Sequence, residues 1–309
     1  MSTHPLYHLS LHPGNSEVAL EVVVPSIPGY GFSAAPQLRG FGGPQTADIF
    51  RQLMARLGHE RFYCQGGDWG SLVTTVLAAL YPDSVLGLHL NMMAAQITPG
   101  GMLPTWLAQL PGLRYLLADP EDYEKVEAFV PRLGFLLQET GYLHLQATKP
   151  DTVGVGLSSS PLGLAAYILE KFSTWTEAGW RELEDGGLGA EASYSMDRLL
   201  TNVMVYWLTN SITSSMRYYK ENLSNLDPAI ARTPVQAPTG FADLPNELSR
   251  VSRFQLRGKF PRLVSYNTLA SGGHFAAMEV PHLLAEDIIQ FITLVENNHT
   301  SKNYNEGEL

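Results

Sequence analysis

Apolar positions along this chain switch between two rhythms. Residues 18–24, "VALEVVV", form a short run rich in β-branched side chains, the composition of a buried strand. The segment that follows, "PSIPGYGFSAAP", is broken by Pro25, Pro28, Gly29 and Gly31 and predicts a loop. Ile49, Phe50, Leu53, Met54 and Leu57 then recur at helical spacing, with Thr46 as the start signal and Gly58 as the stop. Residues 61–65 predict a second strand, 72–81 a helix ended by Pro82, and 85–92 a third strand. Strand and helix alternating in this way imply a mostly parallel sheet with helices on both faces.

The rhythm changes near Ala94. From there to Leu226 the pattern is helical, most clearly over 197–223, where Leu200, Val203, Met204, Trp207 and Leu208 form one stripe. Strand-like pattern returns at 235–242 and 263–270, and residues 281–297 predict a closing amphipathic helix. The expected organisation is therefore an α/β core of residues 1–93 and 227–298, split by a helical cap of residues 94–226 and followed by a flexible polar tail, 299–309.

Composition narrows the classes. Of 309 residues, 45% are apolar and only 16% charged, which supports a large core and excludes a disordered chain. The net charge of -10, without a block of basic residues, argues against nucleic acid or an anionic membrane surface as the main partner. The single cysteine, Cys64, falls in a predicted buried strand and reads as a small core hydrophobe. No apolar run approaches the roughly 18 residues of a membrane span. The amino-terminal "MSTHPLYHLSLHPGNSE" is too polar for a signal peptide, which makes the sequons at Asn222 and Asn298 chance matches. No metal-ligand cluster or phosphate loop stands out, so no cofactor is expected.

The candidate chemistry lies in residues 63–71, "YCQGGDWGS". Gly66 and Gly70 flank Asp68 two residues away on each side, the small-x-nucleophile-x-small pattern of a sharp strand-to-helix turn. Asp68 would stand at the carboxyl end of a strand, beside a helix amino terminus. A carboxylate is charged at neutral pH and can attack carbon without a base, but the resulting ester needs a base-activated water to cleave it. Capping the helix is the alternative use of such an aspartate.

Hydrolases built on this turn order their partners nucleophile, acid, histidine. His274, in "SGGHFAAMEVP", follows a predicted strand and so falls at the same sheet edge as Asp68. For the acid, "GFADLPNELSR" offers Asp243 and Glu247. Glu247 is preferred because Pro245 makes Asp243 the better helix-start residue, although spacing hardly separates them.

The segments "VPSIPGYGFS", "QGGDWGS", "LHLNM", "GYLHLQATKPDTVG", "SPLGLAAYILEKFSTW", "EDGG", "LLTNVMVYW", "RYYKENL", "PTGF" and "GGHFAAMEVP" are colinear from about residue 10 to 297. Together they resemble the microsomal-type epoxide hydrolases, which include the juvenile hormone epoxide hydrolases. The resemblance implies an α/β-hydrolase fold with a helical cap and conversion of apolar xenobiotic or lipid-like epoxides to vicinal diols. By it, Asp68 matches the nucleophile, His274 the base, Glu247 the acid that orients the histidine, and Tyr142 and Tyr219 the cap phenols that hold the epoxide oxygen. Its partners would be a small epoxide and water, its place the cytosolic face of the endoplasmic reticulum membrane, its role detoxification. The phenols also suit the chemistry, because two donors aimed at the epoxide oxygen stabilise its developing charge. Tyr219 lies eleven residues, about three turns, beyond Leu208, which would set it on the core-facing side of one continuous helix. Trp175, Phe172 and Trp207 suggest an apolar pocket.

The family's "HGxP" loop has no match here; "THP" at Thr3 and "LHPG" at Leu11 lack a preceding apolar strand. Its membrane anchor and the segment after the anchor have no match either, which makes the cytosol the alternative expected location. The expectation is a chain that begins inside the fold, with the backbone N–H of Trp69 as only half of an oxyanion hole. One lost donor of this kind costs about 10²–10³ in rate. A strand slot between 18–24 and 61–65 would then stand empty, unless the first strand shifts to fill it. Two rivals remain: a haloalkane dehalogenase, whose elbow also carries an aspartate followed by tryptophan, and a non-catalytic epoxide-binding protein.

Overall fold

In a computed structural model of the chain, residues 19–93, 137–189, 194–225 and 227–306 are described, with isolated positions at 112–113, 115, 120, 123 and 134. The core opens with α1 (Gly43–Arg56), β1 (Phe62–Gly66), α2 (Asp68–Leu80) and β2 (Val85–Leu90). The insertion carries α3 (Gly141–Thr148), α4 (Pro150–Ser158), α5 (Pro161–Thr174), α6 (Met196–Thr209) and α7 (Ile212–Asn225). The core resumes with α8 (Pro228–Arg232), β3 (Thr239–Asp243), α9 (Arg253–Arg257), β4 (Leu263–Thr268), α10 (Ala276–Glu279) and α11 (Pro281–Glu306).

The described strands form one parallel sheet in the order β1-β2-β3-β4, with Gly66 beside Leu90, Leu90 beside Phe241 and Asp243 beside Thr268. All four strands therefore end at one edge, where the ligand sites of open α/β sheets lie. One face is covered by Val73, Val76 and Leu77 of α2 together with Leu256, and the other by Leu284, Ile288, Phe291 and Ile292 of α11. Phe291 fits because glycines lie beneath it. A Cβ on Gly87 would stand 2.9 Å from its ring, and one on Gly240 2.6 Å. Cover on both sides leaves β2 and β3 buried along almost their whole length, whereas β4, at the end of the strand order, is partly exposed.

Four sequence expectations change. Residues 19–24 make no sheet pairing, although Leu20 and Val22 turn inward onto the cluster around α11. Their alternation is strand-like, but a strand is defined by a partner, and among the described residues β1 pairs with β2 alone. The segment does not fill the slot beside β1. Next, α1 starts at Gly42–Gly43, not at Thr46. Its first amide, that of Gly43, donates to Asn222 Oδ1 of α7 at 2.7 Å, so the cap comes from the insertion. Thr46 instead turns its hydroxyl back to the Gly42 carbonyl at 2.9 Å.

The third change concerns the long helix expected over 197–223. It is two helices, α6 and α7, separated at Asn210, which takes the left-handed conformation with φ 51°. Leu208 is consequently exposed rather than core-facing. The cap buries Leu164, Val203, Ile212 and Met216 at its centre. Gly154 lets α4 and α7 close, since a Cβ there would meet Thr213 at 2.8 Å. At the other end α11 continues to Glu306, into the segment expected as a tail. Among the described residues no single helix is long and apolar enough to cross a membrane.

Candidate active site

The turn after β1 takes the strained form its glycines imply. Asp68 has φ 47°, a left-handed conformation costly for a residue with a Cβ. It stands at the first position of α2, with its side chain 46% exposed. Gly66 is required because a Cβ there would collide with the carbonyl of Gly70 and lie 2.8 Å from the amide of Ser71. Gly67 is pressed against the Asn91 side chain in the same way. Gly70 differs from expectation: a Cβ on it meets nothing within 4 Å. The crowding is one-sided, with the helix backbone occupying the space that a β1 side chain would need.

The other two groups arrive from the ends of β3 and β4. His274 Nε2 lies 3.7 Å from Asp68 Oδ2, and its Nδ1 lies 2.8 Å from Glu247 Oε1. A carboxylate can only accept, so Nδ1–H donates to Glu247 and Nε2 faces the aspartate. The same Glu247 oxygen accepts the amide of Leu248 at 2.7 Å. His274 and Glu247 are buried. Asp243 is used elsewhere: both its oxygens hold Arg250, at 3.2 and 2.6 Å, and Thr268 donates to it at 3.1 Å. That bidentate pair removes it from the choice that spacing left open. Burial alone would lower the basicity of His274, but the charges of Glu247 and Asp68 and the hydrogen bond to Glu247 outweigh it and push its pKa up to about 10.

Two phenols from the cap close the site. The ring of Tyr219 (α7) meets Trp69 edge-on at 4.8 Å, and the ring of Tyr142 (α3) meets Tyr219 edge-on at 6.0 Å. Burial raises both phenol pKa values, and the nearby charge of Asp68 raises them further, so both stay protonated donors. Tyr218 is a structural neighbour: its hydroxyl donates to Thr46 at 3.1 Å and ties the cap to α1. Tyr219 does not share a stripe with Leu208, because α6 and α7 are separate helices; its place follows from α7 packing across the turn.

Trp175 stands edge-on to His274 at 5.0 Å and borders Tyr142 at 5.0 Å. Its carbonyl accepts the His274 amide at 2.9 Å. Phe172 stacks on Phe275 at 3.9 Å, which makes it packing between cap and histidine loop, and Trp207 packs in the cap interior.

Two residues escaped the sequence reading. Tyr30 lies edge-on to Tyr218 and Tyr206, with a buried hydroxyl that has no partner. Glu279 accepts the amides of Gly273 and Phe275, on either side of His274, at 2.7 and 2.8 Å. Tyr30 sits in the quoted "PGYGFS", but nothing separates it from 13 other tyrosines. Glu279 bonds only to backbone, which leaves no trace in residue pattern.

An α/β-hydrolase fold model matches residues 6–241. Epoxide hydrolase 1 of Oryctolagus cuniculus is 51% identical over 290 residues, covering 92% of this chain and 62% of its own length. Juvenile hormone epoxide hydrolase 1 of Ctenocephalides felis is 45% identical over 284 residues, covering 91% and 60%. The chain thus spans less than two thirds of the length of these relatives. The crystal structure of juvenile hormone epoxide hydrolase from the silkworm Bombyx mori superposes with a TM-score of 0.90 at 40% identity, covering 96% of this chain and 69% of that one. An Aspergillus niger epoxide hydrolase superposes with a TM-score of 0.68 at 30% identity, covering 87% and 62%. On sequence and fold together, the chain belongs to the α/β-hydrolase family, in the branch of the microsomal-type epoxide hydrolases.

Proposed function

We propose that the protein hydrolyses epoxides of apolar molecules to vicinal diols through an ester on Asp68. The observation that carries this reading is the line Asp68–His274–Glu247, with the adjoining phenols of Tyr142 and Tyr219 near enough to feel the charge of Asp68. Asp68 attacks an epoxide carbon from behind, the carbon–oxygen bond breaks, and a phenol gives the leaving oxygen its proton. The oxygen stays attached as the neighbouring hydroxyl, and the product is a hydroxyalkyl ester.

The charge arrangement then changes in a useful way. His274 begins as an imidazolium between two carboxylates, which makes it no base at all. Esterification removes the charge of Asp68, one of the two groups that raise its pKa. The imidazolium now gives up its proton, which restores the phenol by way of solvent. The neutral ring takes a proton from water, and hydroxide attacks the ester carbonyl. The resulting oxyanion faces the backbone N–H of Trp69 at the start of α2, on the positive end of the helix dipole. Collapse frees the diol and restores Asp68 and the imidazolium, so the balance is epoxide plus water to diol. The residues invoked are all from the chain, and the chemistry calls for no cofactor.

Diol formation from an aryl epoxide, compared with that of Asp68→Ala, tests the reading. Turnover that survives the substitution would overturn it. One observation favours a second reading: the indole N–H of Trp69 is buried and directed toward the Tyr219 hydroxyl, where it would also serve to hold a leaving halide. Halide release from a chloroalkane with no diol from epoxides would favour the dehalogenase. Labelling of Asp68 that never turns over would favour an epoxide-binding protein. We also propose the cytosolic face of the endoplasmic reticulum membrane as its location and xenobiotic detoxification as its role, supported by family membership alone; imaging of the tagged protein tests the first.

A further inference from the structure

Glu279 touches no reacting atom in the scheme above, yet its carboxylate is spent on the loop that carries His274. Oε2 accepts the Gly273 amide at 2.7 Å and Oε1 accepts the Phe275 amide at 2.8 Å. The amide between them, that of His274, goes to the Trp175 carbonyl at 2.9 Å. Three consecutive amides are thus fixed, two of them by one side chain. Gly273 permits this packing because a Cβ there would lie 2.6 Å from the carbonyls of Trp175 and Thr176. The loop cannot shift toward the cap, and the carboxylate stops it from shifting away.

The location is an expensive one for a negative charge. Burial pushes the pKa of Glu279 up to about 7, against the pull of the two amides, and Glu247 adds repulsion that His274 partly offsets. Among the described residues of the cap, Tyr194 is a titratable group that senses its charge. A neutral side chain would fill this space at lower electrostatic cost. A loop staple alone does not need two charge-assisted bonds on the residues flanking the histidine.

We propose that Glu279 is a positioning residue for His274, fixing the imidazole between Glu247 and the reacting carboxyl in the ester-hydrolysis step. The proposal rests on the reading of His274 as the base of that step. Glu279→Gln keeps the size and one acceptor, but turns an amide donor toward one of the loop amides. The ring is then free to swing on its loop. Ester formation needs Asp68 and the phenols and is largely indifferent to this; attack by water is not.

Two measurements on the whole chain test the proposal. Quenched single-turnover mass spectrometry with an aryl epoxide separates formation of the Asp68 ester from its decay. Glu279→Gln is expected to slow decay about 10²-fold, the cost of a misplaced group, while formation changes little. Decay at the wild-type rate, or equal slowing of both steps together with a fall in melting temperature, would overturn it. The second measurement is the resonance of the His274 Nδ1 proton bonded to Glu247, in protein labelled with nitrogen-15. It should be sharp in the wild type and broadened or lost in Glu279→Gln. An unchanged resonance overturns the proposal even if the wild type forms no ester, a result that would separately sink the hydrolase reading.

Discussion

The two sides of the candidate site are held by opposite means. On the acid–base side, hydrogen bonds fix every part: Glu247 to the ring, Trp175 and Glu279 to the backbone around it. On the side of the proposed nucleophile, Asp68 is placed by its backbone, held at φ 47° in a turn so tight that no side chain fits at Gly66. The first arrangement fixes a direction for a proton; the second fixes the location of an attacking atom and leaves its oxygens open. A base must be aimed, whereas a nucleophile must be both placed and accessible.

Substitutions that break one side and spare the other sharpen this contrast. The largest effect is expected from His274→Gln, which removes the base and leaves the turn intact. Ester should form and persist, with its decay slowed by about 10²–10⁴-fold, a general base's usual contribution. A stable mass increment on Asp68 is the readout. Tyr142→Phe and Tyr219→Phe should do the reverse, each slowing ester formation by about 10²-fold or somewhat more while decay is unchanged. Stopped-flow fluorescence of the nearby tryptophans can follow both phases.

The turn itself is tested by two glycines. Gly66→Ala must push the helix backbone away and is expected to cost about 1–3 kcal/mol in denaturant unfolding, together with loss of ester formation. Gly70→Ala meets no atom and replaces a helical glycine, so stability should rise by about 0.5–1 kcal/mol. Equal effects at both positions would mean that the crowding is not one-sided.

The smallest effect is a shift in pH dependence. His274 holds its proton more tightly folded than unfolded, so its contribution to stability is complete below 6.5 and lost as pH rises through about 10. Asp68→Asn removes one of the two charges responsible. The imidazole should then titrate below 10 by NMR, and the alkaline loss of stability should begin at lower pH.

The order Asp68, Glu247, His274 was legible from turns and strand ends, because each lies one loop beyond a strand of a parallel sheet. Glu247 was preferred to Asp243 on the Pro245 signal and by resemblance, but its physical reason, Arg250 reaching back across a loop to Asp243, left no trace in the spacing. The division of α6 from α7 had a visible signal in the Thr209-Asn210-Ser211 turn, overridden by the apolar stripe on either side. Residues 19–24 misled for the opposite reason: their local pattern is that of a strand, but pairing is a property of neighbours. Tyr219 was located by resemblance, and the periodicity offered in support belonged to a helix that does not exist. Glu279 was invisible because backbone amides have no letter in a sequence.

The bond from the His274 amide to the Trp175 carbonyl has a further consequence for traffic. The roof of the site is also a beam of its machinery. If the cap lifted to admit a ligand, it would drag on the loop whose position the second step requires. A ligand that lifted the cap would therefore disturb the histidine loop, so the two layers are expected to stay docked while it enters and leaves.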